Sequence, residues 1–471
     1  MEKRRLGVPE RPLRAVIVGS GPAGFYAAEA LLQCGLAVRV DMLDRLPTPY
    51  GLVRGGVAPD HHKIKRVTAI YERIASDPRF QFFGHIRLGT HVQVQDLRRH
   101  YDCVIYAVGS EGDRKMGIPG EDLPGSWAAT EFVGWYNGHP DYRERSFDLS
   151  CEAAAVVGIG NVALDVARIL AKDPEALAGT DIADYALDAL RRSRIRQVYL
   201  LGRRGPAQAA FSPPEIEEMG ALPGADLVVR PEEAELDPVS RAAYEKESDV
   251  GQKKIVEYLL ARSKKGEGSR PRKVRLRLRV SPVEIVGEDG RVAAVRIEQN
   301  ELYEDERGRI HPRGTGRFET LPVGLILRSV GYHGVPVPGV PFHRKAGIIP
   351  NDGGRVLDEE GKRLPCQYVV GWAKRGPSGL VGTNRACSVA TVKALLEDVR
   401  RKEAPCDPDR TPEAAEKMLR SRQPELVSFQ DWKVLDRLEI ERGKAKGKVR
   451  EKFSRVTEML AALKRAKNAS D

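Results

Sequence analysis

Residues Arg14–Gly35 read RAVIVGSGPAGFYAAEALLQCG, and this stretch decides how the chain begins to fold. The run Ala15–Val18 is short, continuous and β-branched, the pattern of a strand buried on both faces. Gly19, Gly21 and Gly24 follow at once as G-x-G-x-x-G, where a helix begins. The first glycine allows a tight turn, the second lets backbone approach a pyrophosphate, and the third lets helix and strand pack closely. The positive end of the helix then faces the anion. A second strand, LAVRVDMLD (Leu36–Asp44), ends in Asp44, a carboxylate placed to accept from ribose hydroxyls. This βαβ unit predicts a dinucleotide-binding domain at the N-terminus.

The same logic recurs at AAAVVGIGNVALDVARIL (Ala153–Leu170), where Gly158, Gly160 and Ala163 form G-x-G-x-x-A. Alanine suffices at the third position because that residue need only be small. After a polar insertion over roughly 172–194 comes the strand VYLLG, which ends in Arg203 and Arg204 instead of an acid. A carboxylate there would repel a 2′-phosphate, whereas guanidinium groups bind it through charge-assisted, often bidentate hydrogen bonds. The second nucleotide is therefore expected to be NADP(H), and the acid-bearing first domain suits FAD. A flavin accepts a hydride and releases electrons singly, so the pair makes an electron-splitting enzyme chemically sensible.

The strand YDCVIYAVGS (Tyr101–Ser110) is echoed by LPVGLILRSVGYHG (Leu321–Gly334), with the second motif between them. This pattern predicts an insertion: an α/β protein with two Rossmann-like domains. The NADP domain (111–332) interrupts a discontinuous FAD domain (1–110 and 333–471) that carries a charged helical C-terminal extension. The segment GWAKRGPSGLVGTN (Gly371–Asn384) returns the chain to the first domain and places Gly379 at a helix N-terminus. Backbone N–H groups there would stabilise negative charge on a reduced flavin ring, with Trp372 packed on the ring.

The formal charge is +11 over 471 residues, which favours an acidic partner and salt-dependent association. Aromatic content is only 6%, so no base-stacking platform for nucleic acid is evident. Cys34, Cys103, Cys151, Cys366, Cys387 and Cys406 include no C-x-x-C pair and no metal-ligand spacing, so no metal site is expected. Without a persuasive targeting segment or a long apolar run, the expectation is a cytoplasmic protein with no membrane span.

Five longer segments occur in order: PTPYGLVRGGVAPDH (Pro47–His61), GIGNVALDVARIL (Gly158–Leu170), GRRGPAQAAF (Gly202–Phe211), GWAKRGPSG (Gly371–Gly379) and VSFQDWKVLDRLEIERGKAKGKVREK (Val427–Lys452). Together they resemble the adrenodoxin reductase type of ferredoxin-NADP reductase, from about residue 13 to 460. The resemblance implies FAD contacts at Ala23, Asp44, Leu52, Leu88 in the strand HIRLG, Trp372 and the backbone of Gly379, Leu380 and Val381. For NADP it implies Ile159, Gly160, Asn161, Val162, Arg203, Arg204, Glu215 and Gly379. His61, Asp165 and Glu215 match residues near the flavin and nicotinamide, where they would hold water and tune protonation around flavin N5. Family members usually carry Glu at the position of Asp44 and lack the prolines Pro213 and Pro214. The implied activity is hydride transfer from NADPH to FAD, then two single-electron transfers to a small acidic iron-sulfur protein of the ferredoxin kind. A monomer is expected, with basic residues at Arg191–Arg196 and at Lys253 and Lys254 forming the dock.

Three other readings compete. A disulfide oxidoreductase needs a close redox cysteine pair, which is missing. The electron-input subunit of a glutamate synthase-like enzyme shares the twin-domain plan but adds cysteine clusters. A non-catalytic nucleotide-binding or nucleic-acid-binding protein would leave the paired cofactor motifs unused.

Overall fold

A computed structural model describes residues 6–379, 381–401 and 411–469. The β-branched run becomes the strand Leu13–Val18, buried along its whole length at the centre of an eight-stranded sheet. Val38–Leu43 and Cys103–Tyr106 pair with it in parallel on either side. Phe80–Gly84 extends the sheet beyond Val38–Leu43, and Arg363–Val369 extends it beyond Cys103–Tyr106. Strands before residue 107 and after residue 350 therefore share one sheet.

Between them lies a second sheet of six strands, all parallel, in the order Ser126–Ala128, Leu325–Arg328, Ala153–Val157, Gln197–Gly202, Arg272–Leu278 and Ala225–Val229. A three-stranded antiparallel meander, Val280–Glu288, Arg291–Glu304 and Ile310–Pro322, stands beside it. Gly112–Asp113 and Tyr332–His333 pair with each other as an antiparallel ribbon, so the outgoing and returning chain run side by side between the two sheets. Parallel strands crossing over through helices bring their C-terminal ends to one edge, which is where ligands bind in such sheets.

Two local expectations change. The stretch at 172–194 is no plain polar insertion: Leu177, Ile182, Leu187 and Leu190 are buried in the core under the second sheet, and Asp184–Arg191 is an amphipathic helix. Leu88 is not on a regular strand; Phe80–Gly84 ends where His85 turns to φ +62°, and Leu88 makes only an isolated bridge to Val92.

The basic C-terminal run is largely an internal strap. Lys452 Nζ lies 2.9 Å and Lys65 Nζ 2.7 Å from the Asp181 carboxylate; Lys452 and Asp181 are buried and Lys65 is half-buried. Lys448 contacts Asp184 at 2.5 Å, Arg455 contacts Glu144 at 2.7 Å, and Val449 donates to the Gly179 carbonyl. Charges that look solvated in the sequence thus tie the C-terminal segment to residues 144–184. Among the described residues no helix is long and apolar enough to cross a membrane.

Candidate active site

A continuous cleft of about 1770 Å³ runs along the C-terminal edges of both sheets. Its walls include Gly19–Ala23, Asp44, Leu52, His61 and Leu88 at one end, Trp372 and Gly379 in between, and Ile159–Val162, Asp165, Arg203, Arg204 and Glu215 at the other.

The glycine motifs divide their labour as their spacing predicts. Gly19 sits at φ +110°, and a Cβ there would meet the Ala107 carbonyl oxygen at 2.4 Å. A Cβ on Gly24 would lie 2.2 Å from the Gly19 oxygen, whereas one on Gly21 would meet nothing within 4 Å. The middle position is thus open cleft and the outer two are closed by backbone. Gly158 (φ +134°) and Gly160 repeat the pattern, the first against the Ser329 oxygen at 2.3 Å and the second in open space, with Ala163 fully buried. Asn161 starts the helix Asn161–Ala171, and its side-chain oxygen accepts from Ser212 N–H at 2.8 Å.

Asp44 accepts hydrogen bonds from the Ser20 backbone N–H and the Leu46 N–H, each at 2.9 Å, and from the Ser20 hydroxyl. It therefore braces the glycine turn as well as facing the cleft. Leu52 is 38% exposed at the cleft mouth, while Leu88 is buried. Trp372 opens a short helix after Gly371, packs with Tyr332 at 5.1 Å between ring centroids, and its buried indole N–H has no partner among the described residues. Gly379, at φ +78°, precedes the 20-residue helix Val381–Arg400; Leu380 lies outside the described residues.

At the far end Arg203 is exposed and Arg204 half-buried. Among the described residues neither guanidinium meets a carboxylate partner, and burial together with the neighbouring Arg203 cation pulls Arg204 below its ordinary pKa. Two unpaired cations at a strand end, one partly desolvated, form a site prepared for an anion.

The two ends meet at His61. Its Nδ1 is 3.7 Å from Asp165, and its Nε2 is 3.6 Å from Glu215 and 3.4 Å from Glu218. Burial lowers its pKa, but the hydrogen bond to Glu218 and the charges of Asp165 and Glu215 outweigh that and raise it above the ordinary value. Burial raises both Asp165 and Glu215. Pro213 and Pro214 occupy the first turn of the helix Pro213–Gly220, where proline costs no hydrogen bond, so Glu215 keeps a regular helical position.

Arg168, Asp60 and Glu218 are the components that sequence reading missed. Arg168, 1% exposed, ion-pairs with Asp60, reaches Asp165 at 2.6 Å and places its Nη2 2.9 Å from His61 Nε2, where its charge opposes the carboxylates' pull toward a protonated ring. The signal was present: an arginine on the apolar face of VALDVARIL is a charge that must find buried partners. By contrast, Arg191–Arg196 is poorly placed as an acceptor dock. These residues precede the strand Gln197–Gly202, so they lie one strand length, roughly 20 Å, from the cleft edge, and Arg191 is already paired with Glu175 and Asp188.

A family profile described as pyridine nucleotide-disulphide oxidoreductase matches residues 13–202. The chain is 46% identical over 461 residues to NADPH-ferredoxin reductase FprA of Mycobacterium tuberculosis, covering 96% of this chain and 99% of that protein. It is 44% identical over 469 residues to human mitochondrial NADPH:adrenodoxin oxidoreductase, covering 96% and 92%. The solved structure of Mycobacterium tuberculosis FprA in complex with NADPH superposes with a TM-score of 0.91 at 45% identity, covering 96% of this chain and 100% of that one.

Proposed function

The chain belongs to the family of the NADPH-ferredoxin reductases and NADPH:adrenodoxin oxidoreductase, and from that premise we propose how its residues divide the work. It is an FAD-containing NADPH-ferredoxin reductase. FAD, when bound, supplies a ring that accepts a hydride from NADPH and passes electrons on singly. The observation that carries the assignment of sites is the single cleft that joins the open Gly21 cradle to the unpaired Arg203 and Arg204.

The residues fit both cofactors. The backbone at Gly21 and Gly160 leaves room for pyrophosphate, and both helix N-termini point toward it. We assign residues 1–110 and 333–471 to FAD and 111–332 to NADP(H). Asp44 holds the adenosine ribose, Leu52, Leu88, Trp372 and Gly379 border the flavin, and Arg203 and Arg204 hold the 2′-phosphate. Arg168 orients His61, and the carboxylates of Asp165, Glu215 and Glu218 favour a proton on the imidazole, close to where nicotinamide and flavin would meet.

The acceptor is a ferredoxin-type protein, and we propose that it is acidic, carries the iron-sulfur centre and docks at the flavin-side mouth. Leu52 and Ile64 line the cleft there yet remain 38% and 41% exposed, and Ile64 is bracketed by exposed Lys63 and Arg66. Apolar contact rimmed by cations suits a small acidic partner. We place the enzyme in the cytoplasm as a monomer, consistent with Cys34, Cys151 and Cys387 being free thiols. The test is spectroscopic and kinetic. The purified protein should carry a flavin that bleaches with NADPH much faster than with NADH, and its ferredoxin-dependent turnover should fall with added salt. A salt-insensitive rate would remove the charged dock, and equal bleaching by NADH would remove the 2′-phosphate assignment.

A further inference from the structure

Two lysines outside the site described above converge on one aspartate. Lys65 Nζ donates to both carboxylate oxygens of Asp181, at 2.7 and 2.8 Å, and Lys452 Nζ lies 2.9 Å from one of them. Among the described residues the cleft wall includes Arg54, His61, Ile64 and Asn137 but none of these three. Asp181 is itself firmly held. Thr180 is tied to the Leu177 carbonyl by its N–H at 2.9 Å and its hydroxyl at 2.7 Å, the same hydroxyl accepts from Ile182 N–H at 3.2 Å, and Ala183 N–H donates to the Tyr136 carbonyl at 2.9 Å. A fixed carboxylate of the inserted unit therefore grips two segments of the other unit.

The grip on Lys65 acts one helical turn from His61. The short helix His62–Lys65 starts at His61, whose carbonyl accepts from the N–H groups of Ile64 at 3.2 Å and Lys65 at 3.3 Å. No residue of that helix is buried, so packing does little to hold it and Lys65 is its anchor. The grip on Lys452 acts at the other end of the same segment, since its Nζ also donates to the carbonyls of Arg54 at 3.3 Å and Asn137 at 3.1 Å, and Arg54 belongs to the helix Leu52–Gly55. Stability does not require both lysines. One carboxylate neutralises one ammonium, and a second buried cation opposes folding through its desolvation. Burial, Lys65 and Arg54 all disfavour the charge on Lys452.

We propose that Asp181 is a positioning residue for hydride transfer: through Lys65 it fixes the helix that begins at His61 and so sets the imidazole against Asp165, Glu215 and Glu218, while through Lys452 it fixes the flavin-side helix Leu52–Gly55. The inference rests on the reading of His61 as the proton-bearing group close to where nicotinamide and flavin would meet. Loss of the Lys65 anchor frees His61 to move and leaves the nucleotide contacts, made by other segments, in place.

Asp181→Asn would leave Lys65 and Lys452 without their carboxylate, so the test uses Lys65→Met, which keeps Asp181 paired with Lys452. The measurement is anaerobic rapid-mixing reduction of the flavin-loaded enzyme over a range of NADPH concentrations, which separates the limiting rate from the dissociation constant. Lys65→Met should lower the limiting rate about tenfold, as a small misplacement near the reacting groups does, and change the dissociation constant by less than about twofold. Its melting temperature should stay at the wild-type value. An unchanged limiting rate would overturn the proposal, and so would a slower rate accompanied by a lower melting temperature or by equally weakened NADPH binding, the marks of structural support alone. The double variant His61→Ala/Lys65→Met should be no slower than His61→Ala, because Lys65 acts through the ring; losses that multiply would overturn that route. A wild-type limiting rate in His61→Ala would sink the reading of His61 itself and the proposal with it.

Discussion

Replacing both Arg203 and Arg204 with glutamine examines the cofactor choice at its source. Arg203 is exposed, so its contact with a 2′-phosphate is screened and worth about 1 kcal/mol. Arg204 is half-buried and already destabilised by its neighbour, so a phosphate relieves repulsion as well as accepting hydrogen bonds, and its share is about 2 kcal/mol. The sum, roughly 3 kcal/mol, corresponds to about a 150-fold loss in kcat/KM for NADPH. NADH, which lacks the phosphate, should change by less than about threefold, and the bound flavin content should not change. The assay is rapid-mixing reduction of the flavin by each nucleotide under anaerobic conditions, with flavin absorbance as the readout. Because the contact is ionic, the wild-type preference for NADPH should also shrink as salt is raised, and the variant's should not. Equal losses for both nucleotides, or release of flavin, would show that the pair holds the fold and does not read the phosphate.

Three further outcomes follow from the same structure. Gly24→Ala should destabilise the apoprotein by about 1–3 kcal/mol through its clash with the Gly19 carbonyl, whereas Gly21→Ala should keep its melting temperature and lose flavin; the reverse pattern would contradict the assigned roles. Burial pulls the Lys452 ammonium down to about 7 although Asp181 partly restores it. In the unfolded chain it titrates near ~10.4, so between those values the unfolded state binds more protons and stability rises with pH. Lys452→Met should remove that rise, and parallel melting-temperature curves for both proteins from about pH 7 to 10 would refute it. His61 has the opposite sign: its raised pKa stabilises fully below about 6.5 and the benefit is lost as pH climbs through the folded value. The melting-temperature gap between wild type and His61→Ala should therefore narrow toward alkaline pH, and a constant gap would mean that the carboxylates around His61 do not hold its proton.

The two glycine turns were legible because their information is local: three small residues at fixed spacing, between an apolar run and a helix, have few other uses. The place of Asp44 and of the arginine pair on the cleft was legible for the same reason, since the residue after a parallel strand lies at the sheet's C-terminal edge. The segment at 172–194 was misread because Leu177, Ile182, Leu187 and Leu190 are diluted among charges, and only packing against the second sheet reveals them as core. Arg168 was missed although its place on an apolar helix face marked it, because its partners Asp60 and Glu218 come from distant parts of the chain.

By itself the sequence determined the two strand–glycine turn–helix units and their order, since strand periodicity and glycine spacing act within one βαβ unit. Only the tertiary structure decided what happens between the units. It joined both sites in one cleft, gathered four ionisable partners around His61, and turned the basic C-terminal run into a strap across residues 144–184. Those arrangements depend on which surfaces meet when two separately stable sheets pack, and no local pattern carries that information, because a lysine bound for a buried aspartate and one bound for water are the same letter until the partner arrives.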